Sequence, residues 1–385
     1  MPDHLIPAVR ATERDGAEIR FLDLDTPYRL LKQDILRAME TVLDSHAFIH
    51  GPPVAALEHA LAEHTGAAHV VTVASGTDAL YLAMLAQGIG PGDAVFVPAY
   101  TYCATVNAVM HTGATPVLVD VDPDTFNIDV RDLCRCLDTL DSALRPRLIM
   151  AVDIFGLPAD YPALHALAAK EGLLLMADAA QSFGASLNGT PCGRLAPVTA
   201  TSFYPTKPLG GYGDGGAILT DDAELAAHCR SLRWHGMDDS RTESLRPGTN
   251  SRLDTLQAAV LLAKLRLFHG EHAAREQMAA HYAACLHDSE AIRPQQIPEG
   301  YRSGWAHYTV RTPNAVHLAD KLDTAGIPFK RYYQQPLHWQ PAFRHLAPDG
   351  GLPVTEQLAK EGLTLPMHPY LTTGQVESVC EVLLG

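Results

Sequence analysis

Residues 69–119 read HVVTVASGTDALYLAMLAQGIGPGDAVFVPAYTYCATVNAVMHTGATPVLV and alternate between short apolar runs and segments of helical pattern. The apolar runs are residues 69–73, 94–97 and 116–119, and the helical segments are residues 78–85 and 104–111. Continuous apolar strands separated by helices are typical of a mainly parallel sheet that helices cover on both faces. We therefore expect an α/β fold whose ligands bind at the carboxyl ends of the strands.

Two further apolar runs, Leu148–Val152 and Leu173–Ala177, extend this alternation along the chain. After about residue 253 the pattern changes to a long helix, predicted from Asp254 to Phe268 or beyond, and then to mixed strands and helices that indicate a smaller α+β domain. The expected organisation is a loose extension at residues 1–18, a large domain at residues 19–253 whose first segment can pack on the small domain, and a small domain at residues 254–385 that includes the connecting helix.

Composition and charge exclude several classes of protein. Hydrophobic residues make up 47% and charged residues 19% of the 385 residues, as in globular rather than disordered proteins. The formal net charge of −15 argues against a nucleic-acid partner, because phosphate backbones require a basic face. A small phosphorylated ligand is still compatible with this charge, since backbone amides can hold a phosphate locally.

The seven cysteines favour a reducing compartment, because they are odd in number and none forms a Cys-x-x-Cys pair. The 19 histidines are scattered without a His-Glu-x-x-His motif, so no metal site is predicted. The N-terminus has no apolar signal core, and no segment approaches the roughly 18 apolar residues of a membrane helix. We therefore expect a cytoplasmic protein that has no membrane partner.

Ser75, Gly76 and Thr77 follow the first apolar run and open a helical segment. Free backbone N–H groups, two hydroxyl groups and the positive end of the helix dipole would form a phosphate cradle there without any basic residue. The alternative is an ordinary helix N-cap, which uses the same residue types. This segment alone does not decide between the two.

Lys207 lies in residues 202–216, SFYPTKPLGGYGDGG, a turn-rich segment that leads into the apolar run Ala217–Thr220. A lysine held by a stiff turn at the mouth of a sheet can form a Schiff base with an aldehyde cofactor. The alternative is an exposed lysine in a loop, which is the commoner environment of this residue type. The choice between them depends on the other segments.

Three more residues agree with the cofactor hypothesis. Asp178 follows the fifth apolar run, where a buried carboxylate is costly unless it has a partner such as a protonated pyridine nitrogen. Gln181 could reach the hydroxyl of the same ring, and Tyr102 could stack on its face. The alternatives are a turn-capping aspartate and a core tyrosine. Together, the phosphate cradle, ring stacker, ring-nitrogen partner and lysine match pyridoxal phosphate.

A competing motif occurs at residues 211–216, which satisfy the pattern G-x-G-x-x-G of nicotinamide dehydrogenases. That motif requires a strand before it and a helix after it. Here an apolar run that we predict to be a strand follows, so the context does not favour a dehydrogenase.

Taken in order, these and other segments resemble the DegT/DnrJ/StrS family of sugar aminotransferases, which have the fold-type I architecture of aspartate aminotransferase. The resemblance extends from about Phe21 to about Leu371. Its other landmarks are Phe21–Leu24, Gly51-Pro52, Val121–Asn127, Phe155–Asp160, Arg233–Gly236, Asn250–Ala259, Pro336–His338 and Leu365–Pro369. The resemblance implies a mainly parallel seven-stranded sheet in the large domain, a pyridoxal phosphate cofactor and a homodimer with shared active sites.

The resemblance also implies a role for each matching residue. Lys207 would carry the cofactor and shuttle the proton, and Asp178 would pair with the pyridine nitrogen. The other cofactor contacts would be Ser75, Gly76, Thr77, Tyr102, Gln181, Ser202 and, across the dimer, Asn250. The substrate contacts would be Tyr212, His307, Tyr308 and His338.

The implied reaction moves an amino group from an amino acid, expected to be L-glutamate, to a keto sugar, most often nucleotide-linked, through pyridoxamine phosphate. A keto cyclitol as acceptor and a non-catalytic regulator or scaffold with the same fold are the alternatives. Lys207 argues against relatives that lack the lysine and remove a hydroxyl group instead. Two residues depart from the family pattern: Pro208 stands where asparagine is frequent, and Gln334, near the expected substrate mouth, where proline is frequent.

Overall fold

The computed structural model describes residues 18–385, so the predicted extension at residues 1–18 lies outside the described residues apart from Glu18. The strands are β1 His69–Val73, β2 Asp93–Pro98, β3 Thr115–Val119, β4 Arg145–Val152, β5 Leu174–Asp178, β6 Ser186–Leu187, β7 Thr190–Pro191, β8 Val198–Ser202, β9 Gly216–Thr220, β10 Arg293–Pro294, β11 Tyr301–Arg302, β12 Tyr308–Arg311 and β13 Gly362–Leu365. The α-helices are α1 Asp25–Ser45, α2 Pro52–Thr65, α3 Gly76–Ala86, α4 Ala104–His111, α5 Val130–Asp138, α6 Tyr161–Glu171, α7 Ala223–Leu232, α8 Thr255–Leu286, α9 Ala315–Thr324, α10 Pro353–Glu361 and α11 Thr373–Leu384.

A seven-stranded sheet with the order β1-β9-β8-β5-β4-β2-β3 forms the centre of the molecule. The pairs β2–β3, β2–β4, β4–β5 and β5–β8 are parallel, whereas β9 runs antiparallel to both β1 and β8. β9 returns from β8 through residues 203–215, which contain no helix, whereas a parallel neighbour is usually reached through a crossover helix. The prediction of an α/β fold with a mainly parallel seven-stranded sheet is confirmed.

Helices cover both faces of this sheet. Along β2, Val95 and Val97 pack into one apolar core with α3, α4 and α7, while Ala94 and Phe96 pack into a second core with α5 and α6. Successive residues of a strand point to opposite faces, so a strand buried on both sides must be apolar throughout. This arrangement explains why the runs that we predicted as strands show no polar alternation.

Helix α8 is longer than the sequence pattern indicated. It continues past Phe268 for a total of 32 residues, or about 48 Å. Alanine and other good helix formers dominate residues 271–286, which explains the continuation. The beginning of α8 packs against α1 and α2, and α11 packs on it as well.

A separate apolar core surrounds the end of α8 and includes Tyr282, Tyr308, Leu322 and Val376. The sheet β10-β12-β13 and helices α9 and α11 belong to it, and Ile19 from the start of the described chain packs against it. The division of the chain at residues 253 and 254 stays a prediction. Within residues 18–385, no helix combines the length and apolar character needed to cross a bilayer.

Candidate active site

A cavity of about 390 Å³ opens at the edge of the sheet where β1, β2, β4, β5 and β8 end. Residues that follow parallel strands meet at this edge although they are distant in sequence. The lining includes Ser75, Gly76, Thr77, Tyr102, Thr105, Asp178, Gln181, Ser202, Tyr204, Lys207, Asp214, His307, Tyr332 and Tyr333. Most of the predicted site residues therefore lie together, and four of them do not: Tyr212, Asn250, Tyr308 and His338.

Lys207 lies in the tight turn between β8 and β9. Its N–H donates to the carbonyl oxygen of Tyr204 at 2.9 Å, and the N–H of Gly211 donates to the carbonyl oxygen of Phe203 at 2.8 Å. A Cβ on Gly210 would lie 2.4 Å from the carbonyl oxygen of Pro205, so only glycine fits where the turn crosses itself. These contacts fix the backbone of Lys207 beside the cavity.

Asp178 and Lys207 each shift the pKa of the other. Asp178 is buried, and it accepts hydrogen bonds from the Thr105 hydroxyl at 2.8 Å and the Ala180 N–H at 3.2 Å. Burial raises the pKa of Asp178, while the Thr105 bond, the Ala180 bond and the charge of Lys207 act in the opposite direction. Burial lowers the pKa of Lys207, and the charge of Asp178 partly offsets this effect. A buried carboxylate and a desolvated amine thus share one cavity.

The start of α3 forms a narrow donor-rich corner of the cavity. Gly76 and Thr77 are the first two helical residues, so their N–H groups have no acceptor within the helix. The Ser75 hydroxyl oxygen already accepts the N–H of Asp78 at 3.0 Å and caps the helix. A Cβ on Gly76 would lie 2.7 Å from Cβ of Ser202, whose hydroxyl faces the same corner. None of the residues that form this corner is basic, so it would bind an anion through N–H groups, hydroxyls and the helix dipole.

Two hydrogen bonds fix the side chain of Gln181 in the wall of the cavity. Its Oε1 accepts the N–H of Phe155 at 2.7 Å, and its Nε2 donates to the Tyr333 hydroxyl at 3.2 Å. The Tyr333 ring stacks on Phe155 with 6.3 Å between ring centres. Tyr102 lies at the mouth, with 58% of its surface exposed.

Comparison with known proteins identifies the family. The family model described as the DegT/DnrJ/EryC1/StrS aminotransferase family matches residues 29–384. The chain belongs to this aminotransferase family. It is 42% identical over 367 residues to the UDP-2-acetamido-2-deoxy-3-oxo-D-glucuronate aminotransferase of Pseudomonas aeruginosa, with 95% of this chain and 99% of that protein covered. It is also 39% identical over 367 residues to a pleiotropic regulatory protein of Geobacillus stearothermophilus, with 94% and 97% covered.

A solved structure extends this similarity to the cofactor. The structure of NtdA from Bacillus subtilis with bound cofactor PMP matches with a TM-score of 0.87 and 28% identity, covering 97% of this chain and 86% of that chain. The protein is accordingly an aminotransferase, and its cofactor is pyridoxal phosphate. The predictions of family, enzyme class and cofactor are confirmed.

The residues of the cavity fit this cofactor. The corner formed by Gly76, Thr77 and Ser202 offers several donors to one phosphate and would be filled by a single extra Cβ. Asp178 has no cation within 4.0 Å in residues 18–385, so a protonated ring nitrogen would supply the partner that its burial requires. Lys207 is half-buried and free to react at the same cavity.

Two of the predicted residues that lie outside this lining face other parts of the surface. Asn250 is exposed, accepts the Arg252 Nε–H at 2.8 Å, and lines a neighbouring pocket of about 570 Å³ that shares Ser75 with the cavity. Tyr212 packs edge-to-face on Tyr28 with 6.2 Å between ring centres.

The other two are buried away from the cavity. Tyr308 is 2% exposed, and its ring stacks on Tyr282 in the C-terminal core at 4.7 Å between ring centres. His307 precedes it and points the opposite way, into the cavity, because successive residues of an extended chain alternate. Burial and the charge of Lys207 lower the pKa of His307 to about 3, so this imidazole is neutral. His338 is 4% exposed, with Nε2 at 3.1 Å from Oε1 of Glu356.

Thr105, Tyr332 and Tyr333 line the cavity but were not predicted from the sequence. Thr105 lies three residues after Tyr102, in the first turn of α4, and a hydroxyl at the start of the helix that follows β2 was the available signal. The two tyrosines come from a loop far along the chain, next to Gln334, and no strand pattern points to them. In the part of the chain that the structure describes, no group of three or more His, Cys, Asp or Glu side chains could hold a metal ion.

Proposed function

We propose that this aminotransferase transfers an amino group from L-glutamate to a keto sugar carried on a nucleotide. The observation that carries the proposal is the meeting of Lys207 and Asp178 in one cavity beside the donor-rich corner at Gly76. The name of the Pseudomonas aeruginosa relative, which specifies a UDP-linked 3-oxo sugar acid, supports a nucleotide-linked acceptor.

Each of these residues of the cavity has a separate role in the proposed reaction. Pyridoxal phosphate, when bound, supplies an electron sink that makes a proton on the amine-bearing carbon acidic. Nζ of Lys207 moves that proton, because burial lowers its pKa and makes the neutral amine more accessible. Asp178, oriented by the hydroxyl of Thr105, would hold the ring nitrogen of the bound cofactor in its protonated form. Tyr102 would stack on the ring, and Gln181 would contact its hydroxyl group.

A second subunit completes the site in this proposal. The lining residues of the cavity include one cation, Lys207, and two carboxylates, Asp178 and Asp214. A sugar nucleotide and an amino-acid donor both bring negative charge that this lining does not balance. Asn250 and Arg252 line the adjoining pocket, and we propose that in a homodimer they reach the phosphate and substrate of the facing protomer. Exposed leucines along α1 supply apolar surface for such an interface.

The remaining predictions belong to the same proposal. The protein acts in the cytoplasm, and the small domain after residue 253 carries His307, which contacts substrate. We retain Tyr212, Tyr308 and His338 as weaker candidates for substrate contact, since none of them lines the cavity. A regulatory role, suggested by the name of the Geobacillus relative, is disfavoured because Lys207 and Asp178 are both present at one cavity.

The test is turnover by the purified holoenzyme. Protein loaded with pyridoxal phosphate is incubated with L-glutamate and a panel of acceptors, namely UDP- and dTDP-linked 3-keto sugars and a keto cyclitol without a nucleotide, and 2-oxoglutarate is measured. We expect product with a nucleotide-linked acceptor, a loss of roughly 10²–10⁴-fold in Lys207→Ala, and full activity in Lys170→Ala, whose lysine is exposed. Turnover of the keto cyclitol alone would mean that the acceptor is a cyclitol and not a nucleotide-linked sugar. Cofactor binding without turnover of any acceptor would favour the regulator.

A further inference from the structure

A second, much smaller cavity of about 40 Å³ lies against the lysine turn. It shares Thr206 and Lys207 with the large cavity, so the two spaces meet at the lysine turn. Residues 22–24, the lysine turn, helix α8 and residues 367–370 enclose it. None of the roles proposed above uses this space.

Helix α8 brings three buried charged side chains to this cavity. Lys264, Glu271 and Arg275 are 7%, 6% and 9% exposed, and their spacing of seven and four residues puts them on one face of the helix. No ion pair in residues 18–385 joins any two of them, so their charged nitrogen and oxygen atoms lie more than 4.0 Å apart. Charged groups that surround a space without touching one another leave room for a bridging species.

The hydrogen bonds of these groups are incomplete. Glu271 accepts the hydroxyl of Tyr370, and Nη2 of Arg275 donates to the carbonyl oxygen of Pro208 at 3.4 Å. Nη1 of Arg275 is fully buried and has no partner among the described residues. A buried guanidinium N–H without an acceptor costs free energy, which an acceptor in the cavity would recover.

The charges around the cavity do not balance either. Asp23 is paired with Arg20, and its oxygens also accept the N–H groups of Asp25 and Thr26. In the proposed reaction Lys207 carries the cofactor of the holoenzyme, so its charge belongs to the large cavity. His368 also lines the small cavity, but burial lowers its pKa to about 4, so this imidazole is neutral.

The remaining groups are Lys264 and Arg275 against Glu271, an excess of one positive charge in a buried space. Burial lowers the pKa of Lys264 only to about 8, so at pH 7 its ammonium keeps the proton and this excess persists.

We propose that this cavity binds one monatomic, monovalent anion of the size of chloride, with Nη1 of Arg275 and Nζ of Lys264 as its donors. One such ion cancels the excess charge and accepts the unpaired N–H, whereas a water molecule does only the second. A water-sized particle needs about 10–15 Å³ of such space, so 40 Å³ admits one ion together with one or two water molecules.

Crystals of the holoenzyme soaked in sodium bromide test the site in the unmodified protein. We expect one anomalous bromide peak within hydrogen-bonding reach of Nη1 of Arg275 and of Lys264, and no peak at this position in crystals kept in sodium gluconate. Featureless anomalous density there, with ordered water in its place at high bromide, would overturn the proposal.

Thermal unfolding of the holoenzyme supplies a second measurement. At equal ionic strength, chloride at about 10–100 times its dissociation constant, in place of gluconate, should raise the melting temperature of the unmodified protein by roughly 2–3 °C, because the ion binds only the folded state. Arg275→Met should lose this rise. Arg266→Met, which removes an exposed arginine of the same helix, should keep it. A folded Arg275→Met variant with an unchanged chloride effect would contradict the assignment of the donor, and if that variant does not fold, the bromide map still decides.

Discussion

Replacing Gly76 by alanine tests the phosphate-binding corner directly. The new Cβ would lie 2.7 Å from Cβ and 3.1 Å from Oγ of Ser202. Carbon atoms in contact are normally about 3.5–4.0 Å apart, so the two loops must separate by roughly 1 Å. This movement would take the Ser202 hydroxyl away from the phosphate. A hydrogen bond to a charged group contributes about 1.5–3 kcal/mol, which corresponds to roughly 10- to 150-fold weaker cofactor binding.

The dissociation constant of pyridoxal phosphate is measured by titrating the apoprotein and following its tryptophan fluorescence. Gly270→Ala is the matched control, because Gly270 lies inside α8 with no atom within 4 Å of the added Cβ. It should bind the cofactor normally and be more stable by up to about 1 kcal/mol, the helix preference of alanine over glycine. A folded Gly76→Ala variant that binds within twofold of the unmodified protein would refute the reasoning about the corner.

Three further predictions concern electrostatics. Thr105→Val removes a hydroxyl that stabilises the charged form of Asp178, so the acid limb of the pH–activity profile should move up by about one pH unit, and an unchanged limb would count against this role. Burial lowers the pKa of His64 to about 4, so the unfolded chain binds a proton that the folded chain does not, and stability should fall as the pH decreases from about 6.5 to 4. His64→Phe should flatten this slope in denaturant unfolding at pH 7 and pH 5, and an equal slope in both proteins would exclude His64 as its source. Arg233 is 4% exposed and lies 2.7 Å from Glu58, so Arg233→Met should lower the free energy of unfolding by about 3–5 kcal/mol, whereas a loss below 1 kcal/mol would mean that the pair is not structurally important.

Strands and helices with a continuous pattern were predictable from the sequence to within a few residues. The apolar run at residues 69–73 and the helical pattern at residues 104–111 coincide with β1 and α4. Strand β8, Val198–Ser202, was not predicted, although all five of its residues are buried at the middle of the sheet. Its threonines, alanine and serine are small rather than strongly apolar, and they fit there because neighbouring loops come close, as Gly76 does to Ser202.

Residues of the candidate site were predictable where their type is unusual for its position in the strand and turn pattern. A lysine in a glycine-rich turn and an aspartate at the end of a buried strand point to chemistry without knowledge of distant contacts. His307 and Tyr308 show where prediction from the sequence fails. Both were predicted to contact the substrate, but only His307 lines the cavity, whereas Tyr308 lies in the C-terminal core. Their directions depend on which face of the chain the C-terminal core covers.

The order of apolar runs and helical segments along the chain was enough to define the parallel sheet and the edge where its loops meet, because both follow from local periodicity and the geometry of strand connections. Packing between distant segments decided the rest. The hydrogen bond from Thr105 to Asp178 spans 73 residues, and the buried charges of α8 meet the lysine turn only after the chain has folded. The burial and the pKa of a group depend on its neighbours in space, and those neighbours can be distant in the sequence.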